Sequence, residues 1–119
     1  MENYKDLKVY GKSYELAKEM YLKVVPKMPK EERYGLISQV KRAATSIPMN
    51  IAEGYGKMVG GKELVRFLQM ARGSCSEMEV LINFMKDFGY ITETEKKDYE
   101  KRYQEVGEML TGLIRSISH

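Results

Sequence analysis

LVRFLQMARGSCSEMEVLINFMKDF, residues 64 to 88, is the stretch from which the fold can be read. Leu64, Phe67, Ala71, Ser74, Met78, Leu81, Met85 and Phe88 recur at steps of three and four, which places them on one face of an α-helix. Leu68, Cys75 and Ile82 widen that stripe, so the segment reads as a long helix buried over a broad arc. Gly89 follows as a left-handed cap with Tyr90 packing back, and Thr92 with Glu95 forms a capping box that opens another helix. A connection this short makes the two helices antiparallel neighbours.

The last helix carries Tyr99, Tyr103, Val106, Leu110, Leu113 and Ile117 on its stripe, with Glu93–Lys97 and Asp98–Arg102 pairs on its solvated side. Upstream, Gly54, Gly56, Gly60 and Gly61 around Lys57, Met58 and Val59 read as a flexible loop. Before it, a second helix starts after Pro29 with Glu31 and Glu32 near its positive dipole end, and carries Leu36, Val40, Ala43, Ile47 and Ile51. Pro48 interrupts that stripe without shifting its phase, so one helix kinked at Pro48 is expected. The first helix carries Leu7, Tyr10, Tyr14, Ala17, Tyr21 and Val24, and ends near Val25 because Pro26 and Pro29 bracket a connector. Matched helices of roughly 20 residues, each about 30 Å long, joined by short connections make an all-α, up-down antiparallel four-helix bundle. One domain over residues 1–119 is expected, a length that can bury a core without disulfides or metals.

Composition narrows the function. The 20 Lys and Arg against 17 Asp and Glu leave a net charge of only +3, so nucleic-acid binding requires a local patch. The single cysteine, Cys75, excludes an internal disulfide, and the charged segment Met1 to Lys8 lacks a signal-peptide pattern, so a cytoplasmic location is expected. No apolar run is long enough to span a bilayer, so no membrane role is expected. Nine Met and nine Tyr without Trp suit an adaptable core and subunit interfaces.

Catalysis lacks its parts. Cys75 sits on the apolar flank of a helix without a histidine partner in the folded body, and the only histidine is His119. A di-iron centre in a bundle needs Glu-x-x-His pairs on facing helices, so no metal and no cofactor are expected. The glycines before Lys62 follow a helix, and no Ser or Thr follows the lysine, so the segment matches neither phosphate-binding fingerprint.

A polar row among the apolar ones is the informative anomaly. Arg42, Ser46, Asn50 and Glu53 follow one another at helical spacing, and Arg66, Gly73, Ser74 and Glu77 form a second row. Charges beside a core stripe are costly unless paired, so the rows read either as salt bridges fixing helix or subunit register, or as a polar site at an assembly surface. Gly73, Gly107 and Gly112 inside helices suggest a close backbone approach, for instance against another subunit, since each costs roughly 1 kcal/mol relative to alanine. Lys5, Lys8 and Lys12, and Lys62 with Arg66, are either a solvated face or phosphate contacts.

DLKVYGKSYELA from Asp6, YGLISQVKRAATSIPMNIAEGYGK from Tyr34 and KELVRFLQMARGSCSEME from Lys62 together resemble the four-helix bundle family encoded by intervening sequences in bacterial 23S ribosomal RNA genes. Arg42, Ser46, Pro48, Asn50, Glu53 and Gly54 fall on the family's most specific block, and Arg66, Gly73, Ser74 and Glu77 on its second. The resemblance implies a ring-like homopentamer without known enzymatic activity. It is more distantly similar to the accessory protein of diversity-generating retroelements, which binds nucleic acid and a reverse transcriptase. The expected function is therefore a non-enzymatic homo-oligomer that binds RNA or DNA through basic patches as an adaptor. The alternative is a protein-interaction scaffold, or a reverse-transcriptase accessory protein, without a nucleic-acid role of its own.

Overall fold

Capping chemistry sets the corner between the last two helices. Gly89 adopts a left-handed φ of +83°, which lets Tyr90 donate its amide to the Met85 carbonyl at 2.8 Å and close the end of the preceding helix. Thr92 then accepts from the Glu95 amide at 3.1 Å, while the Glu95 carboxylate accepts from the Thr92 amide at 2.8 Å. The computed structural model describes residues 3–56 and 60–118. Within them lie α1 (Lys8–Glu19), α2 (Leu36–Gly56), α3 (Gly61–Asp87) and α4 (Glu93–Ile117). The first continues as a π turn (Met20–Val24) and a 3-10 turn (Val25–Lys27), and short 3-10 turns cover Tyr4–Asp6 and Lys30–Glu32.

Side-chain pairs reveal the topology. Lys12 meets Glu105, Glu19 meets Arg102, and Lys27 meets Glu95, so α1 and α4 run antiparallel. Arg42 with Glu77 and Ser46 with Ser74 give the same sense for α2 and α3. Arg72 with Thr111 and Glu79 with Gln104 do so for α3 and α4. Each helix packs on its two neighbours in a closed α1–α2–α3–α4 circuit, which is the up-down four-helix bundle. The rod measures 43 × 23 × 20 Å.

Leu16, Met20, Ile47, Ile51, Leu68, Met78, Ile82, Met85, Tyr103 and Leu110 fill the centre. Unbranched methionines suit the irregular gaps between helices of unequal residue size. The first helix corrects the sequence reading: its core face is Val9, Ser13, Leu16, Ala17, Met20 and Val24, whereas Tyr14 and Tyr21 stay 47% and 41% exposed. Tyrosine spacing had marked a second, outward face. Phe88, placed on the buried stripe of α3, is likewise exposed.

Two boundaries also differ from expectation. The second helix starts at Leu36 and not directly after Pro29, because Lys30–Glu32 forms a separate 3-10 turn. Glu32 caps α2 from outside, accepting the Leu36 amide at 3.3 Å and the Tyr90 hydroxyl at 2.8 Å. Downstream, α2 runs through Pro48, with Pro48 itself buried, and includes Gly54 and Gly56. Gly54 is therefore a packing glycine and not a loop residue: a Cβ there would stand 2.9 Å from Leu64 Cδ1 and 3.0 Å from Phe67 Cβ. Lys57, Met58 and Val59, the rest of that expected loop, lie outside the described residues, as does His119.

Candidate functional site

The polar rows meet across the α2–α3 seam. Antiparallel packing brings Ser46 to Ser74, whose hydroxyl donates to Ser46 Oγ at 2.9 Å. Asn50 Nδ2 donates to the same Oγ at 3.0 Å and to the Ser46 carbonyl at 2.8 Å. One turn away, Arg42 Nη2 donates to Glu77 Oε2 at 2.5 Å. Ser74 is 5% exposed, but the Arg42 and Glu77 side chains are about half in solvent, so the ion pair lies at the rim of the seam and not in the core. Glu53 lies one turn beyond Asn50 and joins Arg42, Thr45, Ser46, Met49 and Asn50 around a shallow depression of about 260 Å³. Arg66 belongs elsewhere. Its guanidinium engages Glu63 on its own helix, through Nη2 at 2.5 Å and Nε at 3.2 Å.

The cations separate in the same way. Lys12 is engaged by Glu105 at 2.7 Å, and its hydrogen bond holds the Glu105 carboxyl below its ordinary value. Lys5, Lys8 and Lys62 have no carboxylate within 4.0 Å among the described residues. The start of α1 and of α3 and the end of α4 share one end of the bundle, where a Cβ on Gly61 would stand 3.3 Å from Ile117. That end therefore gathers Lys5, Lys8 and Lys62, with Asp6 and Glu63 among them. Arg115, in the last turn of α4, joins them there. Spacing along α4 could not single out Arg115, because its significance comes from the start of α3 lying beside it.

A second charged centre was also missed. Arg102 Nη1 donates to Glu19 Oε1 at 3.0 Å, Arg102 Nη2 donates to Oε2, and the Tyr99 hydroxyl donates to Oε1 at 3.3 Å. The Arg102 hydrogen bonds hold the Glu19 carboxyl below its ordinary value against the opposing effect of burial. Burial, followed by the Glu19 charge, pushes the Tyr99 phenol up to about 12. The expected Asp98–Arg102 pair is present at 3.2 Å. Deeper in the core, burial raises the Tyr103 phenol, and its hydroxyl has no partner among the described residues. Burial and then the Glu79 charge push the Cys75 thiol up to about 12.

Large apolar side chains left in solvent form two surfaces. Tyr10, Tyr14, Ala17, Tyr21 and Leu22 face Thr45, Pro48, Met49 and Ala52 across an α1–α2 groove of about 400 Å³. On α3, Met70, Val80, Phe84 and Phe88 form an exposed ridge, with the Phe84 and Phe88 rings stacked 5.7 Å apart. A more polar groove of about 660 Å³ runs between α3 and α4, lined by Arg72, Glu79, Gly107, Thr111, Gly112 and Arg115 among others. Gly73, Gly107 and Gly112 do not mark close approaches within the chain: a Cβ on any of them would meet nothing within 4 Å.

The family model described as "23S rRNA-intervening sequence protein" matches residues 5–112, nearly the whole bundle. The chain belongs to that family. A structural relative of this 23S rRNA-intervening sequence protein is a crystal structure from the S23 ribosomal protein family of Bacteroides thetaiotaomicron VPI-5482, a protein of unknown function. It aligns with a TM-score of 0.80 at 21% identity, over 90% of this chain and 95% of that one. That likeness concerns the fold. No curated protein is significantly similar to the chain. Among the described residues of this family member, no three His, Cys, Asp or Glu side chains are grouped to hold a metal ion. No described helix is long and apolar enough to cross a membrane.

Proposed function

We propose that this 23S rRNA-intervening sequence protein is a non-enzymatic, self-assembling bundle that binds RNA or DNA phosphates at one end of the rod. The observation that supports this reading is the gathering of Lys5, Lys8 and Lys62 at that end without carboxylate partners among the described residues. Arg115 adds a fourth cation there. The positive end of the α3 dipole reinforces the attraction for phosphate oxygens. With a net charge of only +3, one copy offers modest attraction, and repetition of the cationic end around an assembly turns it into avidity. A pentameric ring, the state implied by family resemblance, would present five such ends.

The test is fluorescence anisotropy with single-stranded RNA and duplex DNA at increasing salt. Binding should weaken steadily, with a log–log slope of about −0.7 to −0.9 per phosphate contact. Replacing Lys5, Lys8 and Lys62 by glutamate should remove most of it. Absence of binding at low salt, or binding indifferent to salt, would overturn the reading. A second reading, a scaffold for another protein such as a reverse transcriptase, draws support from the apolar groove beside Met49, which is 64% exposed. It predicts a complex of fixed stoichiometry that persists at high salt.

A further inference from the structure

The arginines sort by partner. Arg42, Arg66 and Arg102 each engage a carboxylate, and Arg33 lies over the Tyr34 ring. Arg72 and Arg115 have no carboxylate within 4.0 Å among the described residues, and both line the groove between α3 and α4. Arg72 is the sharper case, because it is only partly exposed. The hydrogen bond described for it runs from Nη1 to the neutral Thr111 hydroxyl at 3.3 Å. A guanidinium carries five N–H donors and a permanent charge, and its strongest hydrogen bonds go to anions.

Thr111 orients that group. Its hydroxyl donates to the Gly107 carbonyl at 3.0 Å, so toward Arg72 it acts as acceptor, and the other guanidinium donors are left for a ligand. The antiparallel register sets Thr111 level with Arg72, and Arg115 stands one turn further along α4, about 6 Å nearer the lysine-bearing end. Gly112 lies on the α4 wall between those two levels, and a Cβ there would meet nothing within 4 Å. The missing side chain keeps the groove open where both cations face it.

We propose that this half of the α3–α4 groove holds the phosphate backbone of single-stranded nucleic acid, which runs from the lysine-bearing end past Arg115 to Arg72. The inference rests on the polyanion reading above and gives it a path and a strand preference. Packed helices stand about 8–10 Å apart between axes, so a duplex is too wide for the cleft and reaches only the end of the rod. A flexible single strand can lay its phosphates along a narrow cationic groove. Beyond Arg72 the groove turns acidic: Glu108 lines it, and Glu79 accepts from Gln104 Nε2 at 3.2 Å. Those carboxylates repel phosphate, so the track ends at Arg72.

Fluorescence anisotropy with a labelled single-stranded DNA, and with the same strand annealed to its complement, tests the groove at stepped salt. Arg72→Gln should weaken single-strand binding and make its log–log salt slope shallower by about 0.7, the share of one phosphate contact. Duplex binding should not change. Gly112→Leu keeps every charge but fills the groove, so it should produce the same selective loss. Because that position faces open space and leucine favours a helix over glycine, this second variant decides the matter if Arg72→Gln unfolds, as circular dichroism would reveal. Equal losses for single strand and duplex, or no loss from Gly112→Leu, would overturn the groove and leave the lysine-bearing end as the binding surface. A parent that binds neither probe at low salt would overturn the polyanion reading along with it.

Discussion

Phe67 Cβ lies 3.0 Å from the point where a methyl group on Gly54 would sit. The two helices touch there through the backbone of one and the ring base of the other. Gly54→Ala gains roughly 1 kcal/mol of helix propensity, but the clash forces α2 and α3 apart and costs about 1–3 kcal/mol. The net effect should be destabilising. Gly107→Ala makes the same chemical change where nothing lies within 4 Å, so it should stabilise the isolated chain by roughly 0.5–1 kcal/mol. Urea unfolding of the two variants, compared at equal slope, should move the midpoint in opposite directions.

Acid should loosen the α1–α4 seam. Arg102 hydrogen bonds depress the Glu19 carboxyl from its ordinary 4.5. The stabilisation is therefore complete above 4.5 and is lost as pH falls through the lower, folded-state value. Lys27 acts on Glu95 in the same direction. Glu19→Gln should cost about 1–2 kcal/mol near neutral pH, allowing for a partly exposed site. Thermal melts between pH ~7 and ~3 should show a shallower loss of Tm for the variant than for the parent. Parallel curves would remove Glu19 from the acid response.

Ser46 and Ser74 should behave as a unit. Ser46→Ala leaves a nearly buried Ser74 hydroxyl without its acceptor, at a cost of about 1–2 kcal/mol. Once Ser74 is also alanine, no hydroxyl remains to satisfy, so the double variant should cost less than the sum of the singles. A double-mutant cycle in urea reads the difference directly. Additive values would mean that the hydrogen bond does not couple the helices.

Cys75 should resist thiol reagents in the folded chain. Its thiol is 2% exposed and its pKa is pushed up to about 12, so neither access nor thiolate is available near neutral pH. Labelling by a chromogenic disulfide should track unfolding across a denaturant series. Rapid labelling without denaturant would contradict this placement.

The architecture was legible because α3 and α4 carry unambiguous helical spacing and the corner between them uses local capping chemistry. Thr92 and Glu95 need only each other to identify a helix start. By contrast, α1 has two apolar faces, and periodicity alone could not say which one meets the core. Tyr10, Tyr14 and Tyr21 keep the rhythm as well as Val9, Leu16 and Met20 do. Gly54 looked like a loop residue for a related reason: the need for a missing side chain comes from Leu64 and Phe67 across the seam, and the local sequence carries no trace of it.

The polar rows were legible as rows, since Arg42, Ser46 and Asn50 share one helical face. Which groups meet is set by the relative register of α2 and α3. That register pairs Ser46 with Ser74 and Arg42 with Glu77, and gives Arg66 to its own neighbour Glu63. Likewise, charge spacing named Lys12 as a phosphate contact, but Glu105 from the far end of the sequence engages it.

The α1–α2 connector and the α3–α4 corner lie at the same end and are laced together. Glu95 both caps α4 and holds Lys27, while Glu32 holds the Tyr90 hydroxyl and the Leu36 amide. Amide hydrogen exchange should therefore be slow and coupled in the first turns of α2 and α4. Because Glu32 and Glu95 each bridge two segments, replacing either one should quicken exchange in both segments at once.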